Sequence, residues 1–302
     1  MHFSGRSARR GVLLGVALLS TAAVHAAEGG LSNFPYGALT TYPAFVPAPG
    51  TSAFYGYSLF IDAHSVRDAD GDKVPGVSAE VLAFAPRVLH TWEKSFLGWK
   101  MTSGALTEVI YAKVKVPGAD DDDLGPTLLG LEPLYLSKTA GAWTFFHGPL
   151  VYLPLGNYRA DRLANSNLNY RSYTYQGAVT WLPTARFEAS LNAAVEFKAE
   201  NSETQYEAGP QASITFGTGY KPFTDTRWDL GVSGYYTDGL ADDEQNGRTV
   251  AGGGRTRKFA LGPKLVYWLN PGAAIVAQWH HELLSENGAR GDLFWLECAL
   301  PF

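Results

Sequence analysis

Several stretches of this 302-residue sequence bring together side chains able to bind a metal or move a proton. Asp68, Asp70 and Asp72 have the spacing that opens a calcium loop, but neither Asp68 nor Asp70 is followed by the glutamate that such a loop needs at its twelfth position. Asp120 to Asp123 are four consecutive acids beside Pro117-Gly118. Both groups read as solvated charge in outer loops, with weak divalent-cation binding at a lipopolysaccharide surface as the functional alternative. His280-His281-Glu282 sets three ligand types in a row. Neighbours on a strand point to opposite faces, so these cannot close on one metal without a bulge. A serine hydrolase needs a base aligned with a serine and a third polar group. His90 and His281 are the outward candidates for that base, and no serine is recognisably paired with either in sequence. Gly252 to Gly254 precede no helix and so make no phosphate loop. The single cysteine, Cys298, allows no intramolecular disulfide and no thiolate cluster. The chain is therefore read as a non-enzyme, with no catalytic residue, metal or cofactor.

The elements that carry these residues are strands. In RFEASLNAAVEFKAE, Phe187, Ala189, Leu191, Ala193, Val195 and Phe197 share one face, while Glu188, Ser190, Asn192, Glu196 and Lys198 share the other. WDLGVSGYYTD, QASITFGTGY and SYTYQGAVTWLP repeat the pattern. About twelve such runs begin near Ser52, Val77, Trp99, Thr127, Ala142, Leu168, Arg186, Gln205, Trp228, Lys258, Ala273 and Asp292. They are longer than strands of soluble sheets and suit a tilted strand crossing a bilayer. The last run, GDLFWLECALPF, keeps an apolar row from Phe294 to Phe302. Lipid covers such a row if the sheet closes on itself, and a closing aromatic resembles the signal read by the outer-membrane assembly machinery.

The front of the chain agrees. Arg6, Arg9 and Arg10 precede an apolar core and a Val24-His25-Ala26 cleavage site, the pattern of a secretory signal peptide over residues 1–26. The formal net charge of −5 falls further when those arginines leave, which argues against nucleic-acid binding. Connections sort by parity: KTAG, PTA, TDT and NPG are tight, whereas AHSVRDADGDKVPG, PGADDDDLGP, NYRADRLANSN and DGLADDEQNGRTVAGGGRT are long and polar. Short periplasmic turns and long outer loops characterise an outer-membrane barrel. The expected fold is thus all-β: a transmembrane antiparallel up-and-down β-barrel of about twelve strands over residues 52–302. Parity assigns Asp62, Arg87, Glu132, Glu188, Glu196, Lys198, Gln211, Lys258, Lys264, Gln278, His280, Glu282 and Glu297 to the lumen. Residues 27–51 lack alternation and are rich in Gly and Pro. They are a candidate plug, with Phe34, Tyr36, Tyr42 and Phe45 as an aromatic surface for a ligand.

Five stretches resemble the meta-pathway phenol-degradation protein family of outer-membrane barrels: PAPGTSAFYGY with DADGDKVPG, FFHGPLVYLPLGNY, TDTRWDLGVSGYYTDGLADDEQNG, FALGPKLVYWLN and ENGARGDLFWLECALPF. The resemblance spans nearly the whole chain after the leader and implies movement of hydrophobic or aromatic compounds across the outer membrane. It fixes no ligand residues. The resulting expectation is a porin-like channel in a Gram-negative outer membrane for passive uptake of a small hydrophobic solute, with outer-membrane lipid and lipopolysaccharide as its surroundings. A barrel sealed by its own side chains and a lipid hydrolase are the alternatives.

Overall fold

The computed structural model describes residues 31–302, so the leader reading over residues 1–26 lies outside the described residues. The chain runs as a meander of twelve long strands. These are β1 (Ser52–Arg67), β2 (Ser78–Phe96), β3 (Trp99–Val116), β4 (Ala119–Ala140), β5 (Trp143–Pro154) and β6 (Ser172–Thr184). They continue as β7 (Phe187–Lys198), β8 (Gln211–Tyr220), β9 (Trp228–Gly239), β10 (Arg257–Asn270), β11 (Ala273–Glu286) and β12 (Gly288–Pro301). Each strand pairs antiparallel with the next, and β12 returns to β1. That seam runs from Ala53 opposite Pro301 to Arg67 opposite Gly288. Ser52 and Phe302 exchange both backbone hydrogen bonds, at 3.1 and 2.9 Å. The result is a closed barrel.

Alternation becomes sidedness. Along β7 the even positions from Glu188 to Lys198 are all buried, while Leu191 and Phe197 on the other face are exposed. Phe84, Ile214, Leu230 and Phe294 are likewise exposed on the outer wall, each more than a third accessible. Such a surface is stable only against lipid. Trp143 and Trp181 stack at 5.4 Å beside the short turns, as an interfacial girdle requires. Trp268 and Trp295 point inward, Trp295 being almost fully buried.

At one end the connections are Leu97-Gly98, 141–142, 185–186, 221–227 and 271–272. Leu97 and Gly98 both have positive φ, 51° and 78°, as a two-residue hairpin turn of this hand demands. At the other end lie loops 68–77, 155–171, 199–210 and 240–256. One expected long connection, PGADDDDLGP, is tight here. The β3–β4 turn is only Pro117-Gly118, and β11 passes to β12 through Asn287 alone, at φ 47°. The Asp120 to Asp123 run is accordingly not an outer loop but the start of β4, eight residues earlier than the expected Thr127. Asp120 stands opposite Lys115 and Asp122 opposite Lys113, so cross-strand charge pairing makes an acidic strand tenable.

β2, β3 and β4 have 19, 18 and 22 residues. About 10 residues cross the bilayer, so the β3–β4 hairpin stands well outside it. Loop 155–171 docks on this hairpin through one arginine. Arg162 donates to Asp121 at 2.7 Å, to Asp123 at 3.0 Å and to the Asp122 carbonyl, while the Ala164 and Ser166 amides donate to the same carboxylates. The hydrogen bond from Arg162 holds the Asp121 carboxyl down to about 2.

Two outcomes follow from this placement. Leu191→Arg puts a charge on the lipid face near the middle of β7 and should lower stability in lipid vesicles by about 2–4 kcal/mol, read as a shifted urea midpoint; an unmoved midpoint would contradict the lipid-facing assignment. A carboxylate whose folded pKa is depressed lends stability that is fully present above its unfolded pKa and is lost as pH falls through the folded one. Loop 155–171 should therefore resist proteolysis from pH 7 down to about pH 4, and open as pH falls toward 2. In Arg162→Ala it should be cleaved at pH 7.

Candidate functional site

The barrel interior has two unlike walls. Along β6 to β11 it is polar: Thr180, Glu188, Asn192, Thr215, Ser233, Gln278 and His280 are all essentially fully buried. Along β1 to β5 an apolar patch of Ala83, Leu89, Leu128, Leu150 and Tyr152 is buried on the lumen side beside polar residues that include Arg87, Thr102 and Glu132.

Residues 31–50, which form no strand, thread the lumen: Phe34, Ala38, Thr40 and Ala44 are at most 3% exposed. Irregular backbone removed from water must find partners for its amides and carbonyls. Side chains of the lumen wall supply them, most from the polar side and one, Ser137, from β4. The amides of Asn33, Gly37 and Tyr42 donate to Glu196 at 3.2 Å, Thr215 at 2.9 Å and Glu188 at 2.9 Å. Lys198 donates to the Leu31 carbonyl at 2.9 Å, Lys264 to that of Thr40 at 3.3 Å, and Ser137 to that of Ala44 at 2.9 Å. The Thr40 hydroxyl donates to Gln278 at 2.6 Å. Gly217 is needed beneath this segment, since a Cβ there would sit 2.3 Å from the Thr40 carbonyl oxygen.

The inward charges neutralise one another. Lys264 meets Glu188 at 3.0 Å with both side chains wholly buried, Lys258 meets Glu282 at 3.0 Å, and Arg87 meets Glu132 at 2.9 Å. Tyr235 donates to Glu282, Gln278 to Glu297 and Lys198 to Gln211, each at 2.7 or 2.8 Å. Ser233 bridges Gln278 and His280. Of the expected lumen residues only Asp62 lies elsewhere. It shares strand parity with Phe54 and Phe60, is exposed on the outer wall, and stands between Glu80 and Asp292 where the sheet leaves the lipid belt. A carboxylate there keeps its water.

Between residues 33–39 and the apolar wall lies a cavity of about 50 Å³, bordered by Tyr57, Leu59, Ala83, Leu106, Leu128, Leu150, Tyr152 and Trp295. Of the four aromatics expected to meet a ligand, only Phe34 reaches it, packed on Leu128, Leu150 and Tyr152. Tyr36 instead packs on Tyr235 at 4.9 Å, and Tyr42 packs edge-on against Phe45 at 5.6 Å and Trp268 at 5.2 Å. The apolar lining escaped the sequence reading, which sought polar lumen residues. Its signal is the loss of alternation in AEVLAFA and in TLLGLEPLYL, where both faces of a strand are apolar.

The other motifs have local explanations. Asp68 Oδ1 accepts the Asp70 and Asp72 amides and so shapes its own turn. His280 is buried inside and His281 faces out, where it bonds Asp292 at 2.9 Å. Among the described residues no group of three or more His, Cys, Asp or Glu side chains is placed to hold a metal. His90 does meet a serine, Ser52, at 3.0 Å, a pair that strand register creates across 38 residues. Its neighbours on the outer wall are the Trp92 ring and Ser103, with no carboxylate hydrogen-bonded to it among the described residues.

Glu132→Leu leaves Arg87 buried without its counter-ion and should destabilise the barrel by about 3–5 kcal/mol. Adding Arg87→Met to Glu132→Leu should recover most of the loss in urea unfolding, and absence of recovery would deny that the pair is a closed unit.

The fold has counterparts among solved structures. An outer membrane channel from Pseudomonas putida F1 superposes with a TM-score of 0.74 at 16% identity, covering 85% of this chain and 97% of that one. The beta domain of the Bordetella autotransporter BrkA gives a TM-score of 0.51 at 13% identity, covering 84% of this chain and 100% of that one. No curated protein matches the sequence. The family model described as "Putative MetA-pathway of phenol degradation" matches residues 63–298, and with the closed twelve-stranded barrel and its threaded lumen in view, the chain belongs to that family.

Proposed function

We propose that the protein is an outer-membrane channel of a Gram-negative cell for passive uptake of small hydrophobic or aromatic compounds. The observation that carries this reading is the two-walled lumen. The threaded segment is bound to the polar wall by hydrogen bonds, which leaves an apolar cavity against β1 to β5. A barrel built only to be sealed has no need of an apolar inner wall, because polar side chains fill a lumen without the penalty of wetting hydrocarbon. Structural likeness to a protein described as an outer membrane channel adds support. Transport through such a path runs down the solute gradient and uses no cofactor. Lipopolysaccharide would surround the outer ends of the strands, and the barrel assembly machinery would insert the chain.

The sealed-barrel alternative rests on the same segment, since residues 31–50 occupy much of the lumen. Removing residues 31–46 separates the two. A channel should then conduct ions several-fold better in planar bilayers, and the intact protein should admit toluene but not a sugar into lipopolysaccharide-faced vesicles. Neither conductance nor aromatic uptake, from protein shown to be folded, would overturn the channel reading.

A further inference from the structure

Charge is distributed unevenly along the barrel axis. The outer loops 68–77, 155–171, 199–210 and 240–256, with the β3–β4 hairpin end at 113–123, hold fourteen Asp and Glu against eight Lys and Arg. The turns at the other end reverse the sign, with Lys94, Lys100, Lys138, Arg186, Lys221 and Arg227 against Glu93 and Asp225. Two of these cations, Lys138 and Arg227, lie over the Trp99 and Tyr267 rings beside the short turns, at 5.9 and 5.6 Å. They belong to the girdle rather than to the passage.

The outer end also sets acid against acid. Glu207 stands directly opposite Glu244 in a small three-stranded sheet of the loops, and both are exposed. Asp62 has Glu80 on one side and Asp292 on the other. Like charges directly opposite one another cost stability, so folding alone does not favour this arrangement. Among the described residues no group of these acids is placed to hold a metal ion. The outer mouth therefore acts through its field, which concentrates cations and repels anions before either enters.

The lumen continues the same sign. Arg87, Lys258 and Lys264 each meet a carboxylate, which leaves Lys198 as the remaining buried cation among the described residues. Glu108, Glu196, Asp229 and Glu297 have no ion-pair partner among those residues. Glu196 and Glu297 accept hydrogen bonds, from Ser32 and Asn33 and from Gln278. Asp229 Oδ1 has no partner, and Glu108 borders the lumen cavity and accepts no hydrogen bond from a described residue. A carboxylate without a counter-charge in a water-poor space is stabilised by a mobile cation and opposes a nearby anion. The adjoining cavity of about 50 Å³ takes water or a small ion, so Glu108 discriminates by charge rather than by shape.

We propose that the passage admits neutral and cationic solutes and excludes anions, aromatic carboxylates and sulfonates included, and that Glu108 is the specificity-determining carboxylate of its lumen. The inference rests on the channel reading and names the charge class of the solutes that such a channel carries.

Planar bilayers holding the full chain, under a KCl gradient near 0.1 M, should give a potassium-to-chloride permeability ratio of about 3 to 10. Glu108→Gln keeps the shape of a side chain that bonds to nothing, so the barrel should fold, and the ratio should fall about 2-fold. Replacing the loop pair by Glu207→Gln with Glu244→Gln should lower the ratio at 0.1 M but not at 1 M KCl, where charge is screened beyond about 3 Å. In vesicles, phenyltrimethylammonium should enter at least about 10-fold faster than benzenesulfonate; both are permanently charged and cross bare lipid poorly. A ratio at or below unity, equal entry of the two ions, or a ratio unchanged in Glu108→Gln and in the loop variant would overturn the assignment. Toluene uptake without charge preference would sink the charge assignment and keep the channel. No flux of any solute through folded protein would sink the channel, and the assignment with it.

Discussion

Every backbone amide and carbonyl that leaves water must find a partner, and lipid provides none. The rest of this structure depends on that constraint. An open meander of twelve strands would expose two unpaired edges to hydrocarbon. The seam of β1 with β12, continuous from Ala53 and Pro301 to Arg67 and Gly288, removes both. Closure also explains why the two faces of each strand differ so sharply. One meets acyl chains and the other meets an enclosed space, so β7 exposes Leu191 and Phe197 but buries Glu188, Asn192 and Glu196.

The same constraint recurs inside the barrel. Residues 31–50 have no strand neighbours, so their backbone is satisfied by side chains of Glu188, Glu196, Lys198, Thr215 and Lys264. Those side chains come from one wall only. Their charges are balanced within that wall, notably by the wholly buried Lys264–Glu188 pair, and the segment is held both by these directional bonds and by the burial of Phe34, Ala38 and Ala44. The opposite wall makes fewer such bonds, through Ser137 and the Thr91 carbonyl, and around the cavity it presents Ala, Leu and aromatic rings. An apolar cavity is the physical consequence of fastening the segment mainly to one side.

Much of the fold was legible along the chain. Strands start at Ser52, Trp99, Trp228 and Ala273 as the alternation indicates, and within one residue for four more. The failures have physical causes. β4 begins eight residues before Thr127, because four consecutive acids oppose a strand unless Lys113, Lys115 and Arg162 stand against them. Arg162 lies some 40 positions away, beyond any local window. The His90–Ser52 contact escaped for the same reason, since register alone joins them. Asp62 was misplaced although Phe54 and Phe60 carried the needed parity.

Sequence by itself determined the period-two strands, the even number of crossings and most of the inward charges, because each depends on residue type at short range. Only the tertiary structure decided which inward residues meet. It set the polar groups of β6 to β11 around residues 31–50, paired Arg87 with Glu132 across 45 positions, and brought Tyr152 and Trp295 to one cavity from strands far apart in the chain. The reason is geometric. Period two tells which face a side chain takes, whereas its height and its neighbours around the wall are set by strand register and closure.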